Sequence, residues 1–369
     1  MTIIFTIILG SYCLFVLILI LGWLKMERQK VNGTGKEKAF ISVIIPFRNE
    51  KDNIDACIHS LAGLHYPQER FEVILVDDHS TDDTAGRIRS MIDRLPNFSL
   101  ITAGSGAHGK KQALLAGISI SKYDLIVTTD ADCAVQADWL SYFSLFFENK
   151  ETQMLIGGVK LEEHHSLFAR LQRMEFSSLI GLTASALAWG RAILGNGANL
   201  AFRKSAFIQV NGYDGNLHIA SGDDEFLIRK MGKRFPGGIV FINFSLSWVS
   251  TKPLATVTDF FNQRLRWAGK WKHNTDVVTQ LLAVYILLVQ FSFVTALILT
   301  FLNPSLISAI VGIKIVVEVF YFFLINRFQR TPFDLLAFLL LQFIYPVYVM
   351  VTGVLSLAGS YRWKGRNYK

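Results

Sequence analysis

The stretch FISVIIPFRNE (residues 40–50) decides the fold. Phe40 to Pro46 is a mostly apolar run rich in β-branched residues, interrupted only by Ser42, and it soon gives way to Arg48, Asn49 and Glu50. A short run of this kind predicts a strand buried on both faces. The pattern repeats downstream. Phe71–Val76 runs into DDHSTDD (residues 77–83) and Leu125–Thr129 into DADC (residues 130–133), with another strand expected over Phe98–Thr102. Helical spacing occupies the intervals: Asn53–Leu64, Thr81–Leu95 with Ser80 or Thr81 able to cap it, and Lys111–Ser121. This alternation predicts an α/β fold with a parallel sheet. Such sheets bind ligands at the carboxyl ends of their strands. Glu50, Asp77, Asp78, Asp130 and Asp132 are therefore expected along one edge.

Beyond this core the composition shifts. The chain has 369 residues, 51% of them hydrophobic and only 18% charged. The apolar excess sits at the two ends. Met1 to Leu24 carries no charge and is followed by basic residues from Lys25 to Lys30. That order predicts an uncleaved membrane anchor with the next domain in the cytoplasm. Further spans are expected near Leu281–Leu302 and Pro304–Ile325, separated by a break at Asn303-Pro304. Leu335–Tyr361 contains Pro346 and is expected to break there. It would then re-enter or lie along the interface, keeping the basic tail inside. The expected division is an anchor (1–24), a cytoplasmic catalytic domain (39–276), a membrane region (277–361) and a basic tail (362–369). The net charge of +8 is gathered beside apolar segments. That placement favours membrane topology over nucleic-acid binding. Cys13, Cys57 and Cys133 are too few and too scattered for a disulfide framework or structural zinc. Lys314 and Glu318 lie four residues apart inside an expected span, as a helix-face ion pair or as a functional site.

Several motifs carry chemistry. Asp130 and Asp132 form a D-x-D, a carboxylate pair suited to a hard divalent ion that also holds substrate phosphates. GDDE (residues 222–225) precedes a helical run; one of its carboxylates can serve as general base, and acids at a helix start are also commonplace. GSGAHG (residues 104–109) matches the dinucleotide fingerprint, but follows the third strand rather than the first and leaves both acidic pairs without a role. Lys110 and Lys111 open the next helix, where anions are favoured. QRLRW (residues 263–267) lies in a basic aromatic stretch just before the membrane segments.

In order, VIIPFRNE, VDDHSTDD, GKKQAL, TTDADC, GNGANLAFR, SGDDEFL and QRLRW resemble the motifs of the membrane-bound family 2 glycosyltransferases. That group includes cellulose, hyaluronan and chitin synthases and ceramide glucosyltransferases. The resemblance covers about Ser42 to Lys272. It implies a GT-A fold, Rossmann-like and mostly parallel, flanked by transmembrane helices. It implies an inverting, metal-dependent hexosyltransferase using Mg2+ or Mn2+ and a nucleotide-diphosphate sugar, a UDP-sugar being expected. By the same resemblance Asp224 is the catalytic base. Asp77 and Asp78 contact the nucleobase, Pro46 at the end of the first strand is a substrate-binding residue, and Glu50 and Lys110 help hold the nucleotide; Lys111 fits the motif equally well. Asp132 and Asp130 bind the metal and diphosphate. Gly197 and Asn199 lie near the acceptor. Gln263, Arg266 and Trp267 line the acceptor and diphosphate region.

A membrane lipid or lipid-linked acceptor is the expectation, because few membrane segments are visible. Processive extension of a polysaccharide is the alternative, and a catalytically silent sugar-nucleotide-binding subunit is a third reading. The implied location is a bacterial inner membrane, with no nucleic-acid partner.

Overall fold

The computed structural model describes residues 2–31, 33–106, 108–217, 219, 221–269, 276–302, 306–358, 361–363 and 366–368. Along the chain, α1 (Thr2–Glu27) leads to β1 (Ile41–Phe47), α2 (Ile54–Ala62), β2 (Phe71–Asp77), α3 (Thr84–Ile92) and β3 (Phe98–Thr102). Next come α4 (Lys110–Ile120), β4 (Leu125–Thr128), β5 (Cys133–Ala134), α5 (Trp139–Phe147), β6 (Met154–Ile156) and β7 (Val159–Leu161). They are followed by α6 (Leu167–Ala188), β8 (Leu200–Arg203), α7 (Lys204–Gln209), α8 (Asp223–Arg234), β9 (Ile239–Phe241), β10 (Val249–Thr251) and α9 (Val257–Gly269). Three long helices, α10 (Val277–Leu302), α11 (Leu306–Gln329) and α12 (Leu335–Ala358), precede a short antiparallel pair, β11 (Tyr361–Trp363) and β12 (Arg366–Tyr368).

The chain forms two compact units. One comprises residues 26–162 and 186–252, the other residues 1–25, 163–185 and 253–369. The expected domain at 39–276 is thus divided: residues 163–185 and 253–269 group with the long apolar helices.

In the first unit a seven-stranded sheet runs β3-β2-β1-β4-β8-β6-β9. β3, β2, β1 and β4 are mutually parallel, β8 is antiparallel to both its neighbours, and β9 is parallel to β6. This is the GT-A arrangement. β1 and β2 are buried along their whole length, as their near-continuous apolar runs require. Full burial of Ile41, Val43, Ile44 and Ile45 contributes about 1.5–3 kcal/mol apiece. Gly117 lets α4 settle onto this sheet; a Cβ there would lie 2.5 Å from Ile44 Cγ2. From β1 the chain builds outward to β2 and β3, then returns to β1's other side with β4. That reversal opens a crevice beyond the carboxyl ends of β1 and β4. A second sheet, β5-β10-β7, has three strands.

The second unit holds four helices long and apolar enough to cross a membrane, within Ile3–Glu27, Val277–Thr300, Ile307–Gln329 and Leu335–Leu355. The expected break at Asn303-Pro304 lies outside the described residues. The expected break at Pro346 does not occur: α12 is one continuous helix with the proline inside it. Proline removes one N–H from the helical ladder, a loss that membrane helices tolerate when neighbours re-satisfy the freed group. The argument that re-entry keeps the basic tail inside therefore loses its basis.

Lys314 and Glu318 do pair on α11, with Lys314 Nζ 2.9 Å from Glu318 Oε2 and 2.8 Å from Gln342 Oε1 of α12. Tyr12 of α1 donates to the other Glu318 oxygen at 2.6 Å. One buried polar network thus ties α1, α11 and α12. α6 runs antiparallel to α11, joined through Ser185–Tyr321 (2.9 Å) and Ser177–Gln329 (3.4 Å). Gly181 permits this approach, since a Cβ there would lie 2.3 Å from Ile325 Cδ1.

Candidate active site

The strand ends bring the expected acids together. Asp77 closes β2 and uses its carboxylate locally, Oδ1 accepting the Ser80 N–H at 2.8 Å. Asp78, only 3% exposed, follows it, and its Oδ1 accepts the Gly109 N–H at 2.9 Å. Arg48, just beyond β1, donates to the carbonyls of Asp78 and His79 and so ties the first strand end to the second. Glu50 is buried. Its N–H is held by Thr84 Oγ1 at 2.9 Å and its Oε2 accepts from Asn53 at 2.9 Å. The helix expected from Thr81 starts at Thr84, because Asp82 takes the Thr84 N–H and hydroxyl and occupies the turn. Pro46 is the penultimate residue of the buried β1.

Lys110, at the first position of α4, is the centre of the cluster. Its Nζ lies 2.6 Å from Asp130 Oδ1 and 3.2 Å from Asp223 Oδ2. Burial opposes its charge, but Asp130 and then Asp223 outweigh burial and hold Lys110 above its ordinary value. Burial pushes the Asp130 carboxyl up; Lys110 pulls it back and neighbouring Asp132 pushes it up again, leaving it raised. Asp223 also works against burial, yet Lys110 holds it below its ordinary value. Lys111 faces elsewhere: it is buried and donates to the carbonyls of Asn216 (2.6 Å) and Ile219 (2.9 Å). Of two adjacent lysines that the motif leaves equivalent, Lys110 forms the ion pairs with Asp130 and Asp223, while Lys111 acts on Asp223 only through a weaker charge interaction.

Asp132 is exposed beyond β4 and accepts from Cys133 Sγ at 3.5 Å. Cys57 and Cys133 are buried and free; burial, then Asp132 and Asp130, push both thiols up, so they stay protonated. Asp224 sits in the first turn of α8, after Gly222 in a left-handed conformation (φ 79°). Its Oδ2 accepts the Gly197 N–H at 3.2 Å and its Oδ1 the Glu225 N–H at 2.7 Å, which fixes the carboxylate plane. Gly197 packs against the same pair: a Cβ there would lie 2.9 Å from Asp223 Oδ2 and 3.3 Å from Lys110 Nζ and would displace those groups.

Asn199 corrects an expectation. It is 0% exposed, its amide donates to Gly158 O (2.7 Å) and Ser247 O (3.0 Å), and its oxygen accepts from Trp139 (3.0 Å). It locks the core beneath Gly197 and touches no open space.

Gln263, Arg266 and Trp267 lie on α9, in the second unit. Arg264, which the motif leaves as a variable position, is the buried centre of that helix. It pairs with Glu175 of α6, donates to Gln263, and stacks 4.5 Å from the Phe260 ring and 4.3 Å from the Trp267 ring. Its spacing of four from Phe260 and three from Trp267 was a legible signal. Asp223, the partner of Lys110, carries no separate mark in the sequence, where the motif singles out its neighbour Asp224.

The fold and the carboxylate edge can now be set beside known proteins. Residues 42–210 match Glycosyl transferase family 2. Over that stretch, just under half of its length, the chain is similar to family 2 glycosyltransferases. It is 25% identical over 333 residues to a poly-beta-1,6-N-acetyl-D-glucosamine synthase of Staphylococcus epidermidis, covering 87% of this chain and 76% of that protein. It is 26% identical over 255 residues to the probable glycosyltransferase YdaM of Bacillus subtilis, covering 68% of this chain and 59% of the relative. Against the Staphylococcus aureus synthases it spans about half of their length, 53%. In three dimensions it is similar to the mannosyltransferase PcManGT of Pyrobaculum calidifontis, solved with GDP-Man and Mn2+. That likeness has a TM-score of 0.59 at 15% identity, over 97% of this chain and 99% of that one, and establishes the fold.

Proposed function

We propose that this chain is a family 2 enzyme that moves a sugar from a nucleotide-diphosphate sugar, of the UDP-sugar class, onto the end of a growing β-linked polysaccharide. The observation that carries the reaction is the single lysine among acids at the β1/β4 crevice. Lys110 faces Asp130 and Asp223, with Asp132 two residues beyond Asp130 after β4 and Asp224 next to Asp223 in the first turn of α8. The polymer reading is better supported than the lipid acceptor favoured from the sequence, since several curated relatives are named polysaccharide synthases.

The donor set fits a divalent cation. Asp130 and Asp132 offer hard oxygen ligands, and burial together with Asp132 strains the charge on Asp130 even with Lys110 beside it. Asp132, the more exposed, and Asp130 would hold Mg2+ or Mn2+. Such an ion, when bound, supplies positive charge that stabilises a departing diphosphate.

The chain's own residues do the rest. Asp78 and Glu50 hold the nucleotide end at the carboxyl edge of β1 and β2. Lys110 opposes the phosphate charge. Asp224, its plane set by the Gly197 and Glu225 amides, takes the proton from the acceptor hydroxyl. That oxygen bonds to the anomeric carbon from the face opposite the diphosphate; the carbon–oxygen bond to the diphosphate breaks, with inversion. One base suffices because the leaving group departs without needing a proton. Gln263, Arg266 and Trp267 take the acceptor and diphosphate roles that the family resemblance implies, with Arg264 and Glu175 holding their helix in place. The catalytic unit faces the cytoplasm of a bacterial inner membrane in this reading, following the basic residues after α1.

Purified protein in detergent, incubated with Mn2+, a panel of labelled nucleotide sugars and membrane lipid, tests the proposal. Asp224-dependent label in a large, glycosidase-sensitive polymer is expected. Label confined to the organic phase would restore the lipid acceptor and overturn the polymer reading.

A further inference from the structure

A second set of ligating side chains lies beyond β2, on the other side of β1 from the strand that leads to the D-x-D. Asp78, His79 and His108 present a carboxylate oxygen and two imidazole nitrogens within 4.8 Å of one another. They come from separate loops. Asp78 and His79 follow β2, and His108 lies on the glycine-rich loop that leads into α4. The two imidazole rings meet with centroids 4.7 Å apart and planes at 63°.

The framework holding them is built. The Gly109 N–H bonds to Asp78 Oδ1, so the backbone beside His108 is tied to the carboxylate of the same triad. Arg48 grips the carbonyls of Asp78 and His79 and fixes the β2 turn. His79 itself sits at φ 57°, a conformation that glycine would adopt without steric cost, so the turn does not require an imidazole. Asp78 is buried, His79 half-buried and His108 exposed, which leaves an approach from solvent.

We propose that Asp78, His79 and His108 bind a borderline divalent cation of the zinc class, and that this ion opposes nucleoside binding. The donor chemistry sets this triad apart from the D-x-D. Imidazole nitrogens suit zinc, cobalt and nickel, whereas an all-oxygen carboxylate pair suits magnesium and manganese. Three protein ligands with an open fourth position are a common zinc arrangement. Zinc–nitrogen bonds of about 2.0–2.1 Å place tetrahedral donors about 3.4 Å apart. The observed spread closes to that by side-chain rotation, since His108 is carried between Gly106 and Gly109, both at positive φ. The opposition follows if Asp78 contacts the nucleobase; that clause alone rests on the proposed function.

Cobalt makes the site visible. Full-length protein in detergent is titrated with Co2+ in the presence of excess Mg2+, and the visible d–d absorption is recorded. Wild type is expected to develop a saturable spectrum, which Zn2+ abolishes and Mg2+ does not. His79→Gly, matched to its backbone conformation, and His108→Ala, at an exposed position, are each expected to weaken Co2+ binding by at least about tenfold. Uridine, which lacks phosphates to chelate metal, is expected to raise the Co2+ concentration needed for saturation. Absence of the spectrum, or a spectrum unchanged in both histidine variants, overturns the site. A histidine-dependent spectrum indifferent to uridine overturns the opposition while leaving the site. Failure of uridine to bind metal-free protein counts against the nucleobase assignment of Asp78 instead.

Discussion

Lys110 and Lys314 each face carboxylate oxygen from a largely buried position, yet their surroundings balance charge in opposite ways. Lys314 meets one carboxylate, Glu318, and one amide, Gln342; Glu318 is further satisfied by Tyr12, and Phe293 lies 3.9 Å from the ammonium. That network is neutral and closed upon itself, a joint between membrane helices. Lys110 meets Asp130 and Asp223, with Asp132 and Asp224 close along the chain. That network is anionic in excess and opens at the end of a sheet. A closed neutral network asks for nothing more, whereas an open anionic one attracts cations and the substrates that travel with them. From the sequence alone, Lys314 and Glu318 were as much a functional candidate as a helix joint. Their closed bonding favours the joint.

The comparison can be broken by experiment. The largest effect is expected at the open network. Asp224→Asn should lower sugar transfer by about 100- to 10,000-fold in a labelled-donor assay, while calorimetry still records nucleotide binding. Near-normal transfer would remove Asp224 as base. Chelation of divalent ions should likewise abolish transfer in wild type, and added Mn2+ or Mg2+ should restore it; activity that survives chelation would count against a metal at Asp130 and Asp132.

At the closed network the effect should fall on stability instead. Lys314→Met leaves Glu318 without its counter-charge and should cost about 3–5 kcal/mol in thermal unfolding in detergent. The double variant Lys314→Met/Glu318→Gln should recover most of that loss and retain transfer. Loss of transfer in a well-folded double variant would show that the membrane pair takes part in function.

The smallest and sharpest contrast is between adjacent lysines. Lys110→Met should weaken nucleotide binding and also cost stability, because it leaves Asp130 and Asp223 without their counter-charge. Lys111→Met should leave nucleotide binding nearly intact and cost about 1–3 kcal/mol, because it strips hydrogen bonds from the Asn216 and Ile219 carbonyls. Equal effects from both variants would dissolve the distinction drawn from their orientations.

Much of this molecule was readable beforehand. β3 falls where its apolar run ends on both sides, and β1, β2 and β4 fall within a residue of expectation, since a buried parallel strand must be a near-continuous apolar run. The acids at their ends followed from the same alternation. Other features left no such mark. α6 groups with the membrane helices although it carries charges and a mixed pattern, because its attachment to α11 depends on Ser177, Gly181 and Ser185 rather than on an apolar stripe. Pro346 reads as a break in a chain considered alone, and the helix nonetheless continues. Asn199 reads as a site residue by motif, and its partners on three other segments make it a core clamp.

The sequence by itself determined the sheet, the edge that gathers the acids and the long apolar helices, because each is written in local runs, spacings and motif order. Only the tertiary structure decided which of two lysines pairs with the acids, that Asp223 pairs with Lys110 while Asp224 is held by the Gly197 and Glu225 amides, and which buried charges cancel. Those outcomes depend on the direction of side chains brought together from segments far apart in the chain, and no local pattern encodes a direction in space.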